Sequence, residues 1–134
     1  MRIESAPPMA AQPLNSVLLV EHHDELRASL RDWLFASLLA PLKLVEARNR
    51  EEALQHAEKS THDLVLMNLE LPGLSGIEVM RELRRLYPEC PVVIMSMIDS
   101  EALRIAATEA GALAFVPKRE LPGALLPILG RLGK

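Results

Sequence analysis

Several polar side chains in this sequence follow short apolar runs. Glu21 and His22 follow Val17–Val20, Asn68 follows Leu64–Met67, Ser96 follows Val92–Met95, and Lys118 comes two residues after Val116. If each run is a strand of a parallel sheet, these groups reach its carboxyl edge, where such folds place ligands and chemistry. An acid, an amide, a hydroxyl and an ammonium would then share one mouth. Asn68 is the member that demands explanation, because an amide neither attacks nor titrates. Glu70, two residues further on, alternates to the same side of an extended chain. Pro72 and Gly73 turn the chain there, so it is not read as a nucleophile. The group Glu21, His22, His23 and Asp24 could bind zinc or nickel. Adjacent histidines on a strand-to-helix turn more commonly face solvent with their side chains apart.

The elements that must position these groups can be read from periodicity. Four more segments alternate with the runs above. A helix begins at Asp24, with Leu26, Leu30, Trp33, Leu34 and Ser37 at helical spacing, and Pro41 stops it. Leu42–Ala47 reads as a strand. Asn49 can cap a helix with Glu52 at its N3 position, a capping-box arrangement. Ser75 can cap the next, which carries Ile77, Val79, Met80 and Leu83. Asp99 or Ser100 opens a helix that runs to Ala110 and ends at Gly111. Ala114–Val116 is a short fifth strand. Leu121–Leu132 is a last apolar helix, weakened by Gly123, Pro127 and Gly130. Strands that are continuous apolar runs, alternating with helices, predict a parallel sheet covered on both faces. The expected domain spans residues 16–134, preceded by a Pro-containing arm over residues 1–15.

Composition narrows the function classes. The chain has 134 residues and a net charge of −3, with no basic cluster long enough to follow a phosphate backbone, so nucleic acid is not an expected partner. The single cysteine, Cys90, excludes an internal disulfide and reads as a packing residue. The apolar run at Val17–Val20 is shorter than a signal-peptide core of about 7–15 residues. No window approaches the roughly 20 apolar residues of a membrane span. A cytoplasmic protein without membrane contact is expected.

From Ser16 to about Leu132 the sequence resembles the receiver domain of two-component response regulators. LLVEHHDELRASL matches the family's first strand, acidic pair and first helix. DLVLMNLELPGLSGIEVMREL matches the third strand and following loop, with Pro72 and Gly76 four and eight residues after Asn68. VVIMSMIDSEA carries the family's hydroxyl position at Ser96. GALAFVPKREL carries its switch aromatic at Phe115 and its lysine at Lys118. The resemblance implies a flavodoxin-like, doubly wound α/β fold with five parallel strands in the order 2-1-3-4-5. The spacing of Ser96 and Lys118 from Asn68 is similar to the subgroup that precedes a helix-turn-helix output domain.

The departures from that family bear on function. Asn68 occupies the phosphoacceptor position, which in the family is aspartate. Glu21 and His22 occupy the two metal-binding positions, which are usually aspartates. Phosphoryl transfer needs a carboxylate oxygen in line with the donor and a metal to neutralise its charge. Mg²⁺ wants octahedral oxygen ligands, and His22 offers nitrogen. No catalytic residue, no resident metal and lost or weak Mg²⁺ binding are therefore expected. Lys118 should turn to Glu21 or to the Asn68 oxygen. Ser96 either ties the strand end or keeps a switch role, and Phe115 either packs in the core or acts as a rotameric switch. The reading is a non-enzymatic pseudo-receiver, a phosphorelay-type signalling module that works through protein contacts. The alternatives are a phosphorylatable receiver carrying an engineered Asn68, or the N-terminal receiver of a DNA-binding transcription factor. Leu125, Leu126 and Leu129 exceed one apolar stripe, so a homodimer or protein partner is expected on the surface of helix 4, strand 5 and helix 5.

Overall fold

The computed structural model describes residues 15–37 and 43–132. The expected arm, apart from Asn15, and the expected helix stop at Pro41 lie outside those residues. Five strands, β1 (Ser16–Val20), β2 (Lys43–Ala47), β3 (Leu64–Asn68), β4 (Val92–Ser96) and β5 (Ala114–Pro117), pair in parallel in the order β2-β1-β3-β4-β5. Five helices connect or follow them: α1 (Asp24–Ser37), α2 (Arg50–Lys59), α3 (Gly76–Leu86), α4 (Glu101–Glu109) and α5 (Leu125–Leu132). This is the flavodoxin-like order expected from the sequence.

The period of two along each strand divides its side chains between two cores. Leu18, Val20, Val65, Met67, Val92 and Ile94 face one, and helices α2, α3 and α4 cover it with residues such as Ala53, Met80, Leu83 and Ala107. Val17, Leu19, Leu64, Leu66, Val93 and Met95 face the other, covered by Leu30 and Leu34 of α1 and by Leu125, Ile128 and Leu129 of α5. All five residues of β3 are buried, as are all five of β4. That is why neither strand shows polar alternation. Asp63 fixes the start of β1, its Oδ2 accepting from the backbone N–H groups of Asn15 at 2.8 Å and Ser16 at 3.0 Å.

The helix caps follow the local sequence. Ser75 Oγ accepts from Ile77 N–H at 3.1 Å, with Glu78 completing a capping box. Asn49 Oδ1 accepts from Glu52 N–H at 2.9 Å. The Glu52 carboxylate takes the N–H of Arg48 rather than that of Asn49, so only half of the expected box forms at α2. Ser100 caps α4.

The last helix is a correction. It starts at Leu125 rather than Leu121, after a 3-10 turn over Lys118–Glu120. Pro127 supplies the reason. As the third residue of α5 it falls among the first-turn N–H groups that have no partner within the helix. A start at Leu121 would put it in the interior, where its ring meets the preceding turn. The shorter helix also changes the apolar surface. Leu125, Ile128 and Leu129 form one buried stripe, so Leu125 and Leu129 belong to the protein's own core and not to an interface. Leu126, at 53% exposure, is the one of the three interface candidates that faces solvent.

Candidate functional site

The strand registers bring the polar groups together. Met67, next to Asn68, is opposite Val20, next to Glu21; Asn68 is opposite Met95, next to Ser96; Ser96 is opposite Pro117, next to Lys118. The ladder continues past the strand ends through Glu21 N–H to Ala47 O at 2.9 Å and Leu69 N–H to Met95 O at 2.7 Å. Glu21, Asn68 and Ser96 are fully buried.

Glu21 is held from several sides. Its Oε2 accepts from the His23 backbone N–H at 3.0 Å and from Asn68 Nδ2 at 3.3 Å. Its Oε1 faces Lys118 Nζ at 3.0 Å, and the lysine side chain is only 9% exposed. The ammonium is not aligned for a hydrogen bond, since Oε1 and Asn68 Oδ1 are both buried acceptors without an aligned donor among the described residues. At this separation the ion pair nonetheless cancels the charge, which a buried carboxylate requires. Arg27 locks the strand end from outside, donating to the Glu21 backbone carbonyl at 3.0 Å and to Glu46 Oε1 at 3.0 Å.

Asn68 acts as a donor. Nδ2 gives one hydrogen to the Glu70 carbonyl at 2.6 Å and the other to Glu21 Oε2 at 3.3 Å. An ionised carboxylate cannot make either bond, because it has no hydrogen to give. The amide thus ties β1 to the loop after β3.

That loop is a two-residue hairpin in which Glu70 pairs with Ser75 and Leu71 with Leu74. Pro72 presets the first turn position and Gly73, at φ +71°, supplies the positive angle that a type II turn requires at the second. Gly76 then brings α3 against the end of β3. A Cβ on Gly76 would lie 2.2 Å from the Asn68 carbonyl oxygen and 2.9 Å from Leu69 Cα, so only glycine fits. Its N–H bonds to the Leu69 carbonyl at 2.6 Å.

Sequence reasoning set Glu70 aside, but its side chain reaches the site. Ser96 Oγ donates to Glu70 Oε2 at 2.7 Å, and Met97 N–H donates to Oε1 at 3.3 Å. Ser96 Oγ also accepts from Ile98 N–H at 2.9 Å. The signal for Glu70 was the alternation that puts it on the side of Asn68; the hairpin completes the approach. Phe115 is buried in the core beside α4, with Arg104 Cζ 5.1 Å from its ring centre and Arg104 Nη1 donating to its carbonyl at 3.2 Å. His22 does not join the cluster; it is exposed, with its ring edge-on to His23 at 5.8 Å.

The model of the response regulator receiver domain matches residues 17–129. The chain belongs to this family. It is 35% identical over 116 residues to the transcriptional activator protein ExaE of Pseudomonas putida, covering 87% of this chain and 54% of that protein. It is 30% identical over 102 residues to the response regulator GacA of Pseudomonas viridiflava, covering 76% of this chain and 47% of that protein. The chain therefore spans about half the length of these curated relatives. A crystal structure of a two-component response regulator of the LuxR family from Aurantimonas sp. SI85-9A1 matches with a TM-score of 0.76 at 31% identity, over 87% of this chain and 85% of that one. The chain is thus a receiver domain of two-component systems. Among the described residues no helix is long and apolar enough to cross a membrane.

A separate groove of about 510 Å³ lies at the opposite ends of the strands, lined in part by His62, Tyr87, Cys90 and Pro91. It touches none of the polar cluster. Burial pushes the Cys90 thiol up to about 11, in keeping with a packing role, and burial holds His62 below its ordinary value.

Proposed function

We propose that this receiver is a pseudo-receiver, a module that signals through protein contact without phosphorylation at Asn68. The observation that carries the reading is the use of Asn68 Nδ2 as a double donor, to the Glu70 carbonyl at 2.6 Å and to Glu21 Oε2 at 3.3 Å. The side chain in the phosphoacceptor position is thereby committed to holding the loop. It has no anionic oxygen with which to attack a phosphorus atom. A divalent cation fits the pocket poorly. Glu21 is the buried carboxylate at the site, and Lys118 already neutralises it. The amide hydrogens take the oxygens of Glu21 and Glu70 that would otherwise face a cation. His22 is exposed and offers nitrogen, a poor ligand for Mg²⁺.

A protein partner would meet the exposed apolar side chains Ile105 of α4, Leu113 before β5 and Leu126 of α5, each between 45% and 53% exposed. This keeps the surface expected from the sequence and its residue Leu126, with Ile105 and Leu113 in place of the buried Leu125 and Leu129. A second reading, a receiver serving a DNA-binding output, draws on the identity with a protein named as a transcriptional activator.

The test is incubation with acetyl phosphate and Mg²⁺, followed by intact mass and peptide mapping. No gain in mass is expected, and a titration with Mg²⁺ and beryllium trifluoride should show no saturable change. A phosphoryl gain on the β3 peptide would replace this reading with that of a working receiver.

A further inference from the structure

We infer that the Glu70 carboxylate is a permanent internal ligand of the β4–α4 junction, filling with the chain's own side chain the donors that an external oxyanion would need. Two donors converge there. Ser96 is fully buried and its hydroxyl donates to Oε2 at 2.7 Å, while the Met97 backbone N–H donates to Oε1 at 3.3 Å. Each carboxylate oxygen takes one donor. These two donors make a seat for the carboxylate, and a hydrogen bond to a charged acceptor is stronger than one between neutral groups. The seat is therefore satisfied without any added group.

The hairpin makes this arrangement stable. Pairing of Glu70 with Ser75 and Leu71 with Leu74 fixes the Glu70 backbone, and Asn68 Nδ2 holds its carbonyl at 2.6 Å. With the backbone fixed, only the Glu70 side chain has to be ordered for its carboxylate to reach across from β3 to β4. On the far side, Ser96 Oγ accepts from Ile98 N–H at 2.9 Å. Glu70, Ser96, Met97 and Ile98 thus form one hydrogen-bonded unit. It sets the backbone at the point where Met97 and Ile98, 74% and 52% exposed, stand out to solvent. The junction is held in a single arrangement by the composition of the chain rather than by a reversible modification. Its regulatory meaning rests on the reading of Asn68 as unmodified, whereas the clamp itself is measured without any phosphorylation.

The experiment is a titration of the ¹⁵N-labelled full chain with inorganic phosphate, observing the Met97 and Ile98 amides, in wild type and in Glu70→Ala, Glu70→Gln and Glu70→Ala/Ser96→Ala. Wild type should show no saturable shift at these amides. Glu70→Ala should show one, because the hydroxyl and N–H are vacated, and the double variant should lose it. Amide exchange at Met97 should quicken by about tenfold in Glu70→Ala, with Glu70→Gln between it and wild type. Glu70→Gln keeps an acceptor of the same shape, so it reports on the clamp even if Glu70→Ala disturbs the hairpin. A wild-type Met97 amide that titrates with phosphate as strongly as that of Glu70→Ala would overturn the inference. So would unchanged Met97 exchange in both Glu70 variants. A phosphoryl gain on the β3 peptide would instead remove the pseudo-receiver reading and leave the clamp standing.

Discussion

At the scale of single residues, Asn68 is a structural donor. Asn68→Asp places an oxygen where Nδ2 stands, 2.6 Å from the Glu70 carbonyl and 3.3 Å from Glu21 Oε2. Both neighbours are acceptors, so an ionised aspartate loses two hydrogen bonds and gains repulsion. The variant should remain folded, lose about 1–3 kcal/mol in urea unfolding at neutral pH, and gain little phosphorylation. Protonation restores a donor, so the folded pKa of that aspartate should lie above about 3.9. The defect should then be smallest below that pH and grow as the pH rises through the folded value. A variant as stable as wild type at neutral pH would show that the amide bonds carry no weight. Ser96 ties the end of its strand, its hydroxyl linking Glu70 to Ile98.

At the scale of elements, the approach of α3 to β3 and the seating of α5 decide the site's shape. Gly76→Ala would drive a Cβ into backbone atoms of Asn68 and Leu69. Neither can move as a flexible side chain would, so a loss of about 1–3 kcal/mol is expected, together with shifted amide resonances at Asn68 and Glu70. An unshifted spectrum would mean that α3 can slide away from β3 freely. For α5, the register set by Pro127 separates two neighbouring leucines sharply. Leu129→Ala removes a buried side chain from the core shared with α1 and should cost about 2–5 kcal/mol. Leu126→Ala should change stability by no more than about 0.5 kcal/mol, and Leu126→Glu should weaken binding to any partner that uses the α4–β5–α5 surface. Equal losses from the two alanine variants would return Leu129 to the surface and restore the longer helix.

At the scale of the whole molecule, charge is distributed so that acid attacks stability in two windows. Burial lowers the pKa of His62, which sits near the start of β3 against Ser16 Oγ at 2.9 Å. The unfolded chain then binds the proton more readily than the folded one. Stability is complete above about 6.5 and falls as the pH drops through the lowered folded value. The second window lies lower. Hydrogen bonds from Arg27 to Asp24, from Arg48 to Glu52, from Arg50 to Glu82 and from Arg119 to Asp99 lower these four carboxyls from ordinary values of 3.8 or 4.5. Their contribution is present above those values and fades as the pH falls through the folded ones. Thermal melts across this range should show Tm declining in two stages, with His62→Gln flattening the upper stage alone. An upper stage that persists in that variant would assign it to another group.

The sequence by itself determined the order of elements, the two-faced burial of β3 and β4, and the meeting of Glu21, Asn68, Ser96 and Lys118 at one sheet edge. Those features follow from the local apolar runs Val17–Val20, Leu64–Met67, Val92–Met95 and Ala114–Val116 and from the rule that parallel strands end on the same side. The sequence also placed an amide, Asn68, at the end of the run Leu64–Met67. What only the tertiary structure decided was how the side chains spend their hydrogen bonds. The reach of Glu70 to Ser96 and Met97 depends on a hairpin closing between β3 and α3, and the donor role of Asn68 depends on where the Glu70 carbonyl falls. The buried positions of Leu125 and Leu129 depend on a helix start that one proline shifts by four residues relative to Leu121. Periodicity cannot reveal such features, because hydrogen bonds and helix registers are settled by contacts between segments distant in the chain and by the three-dimensional fit of their ends.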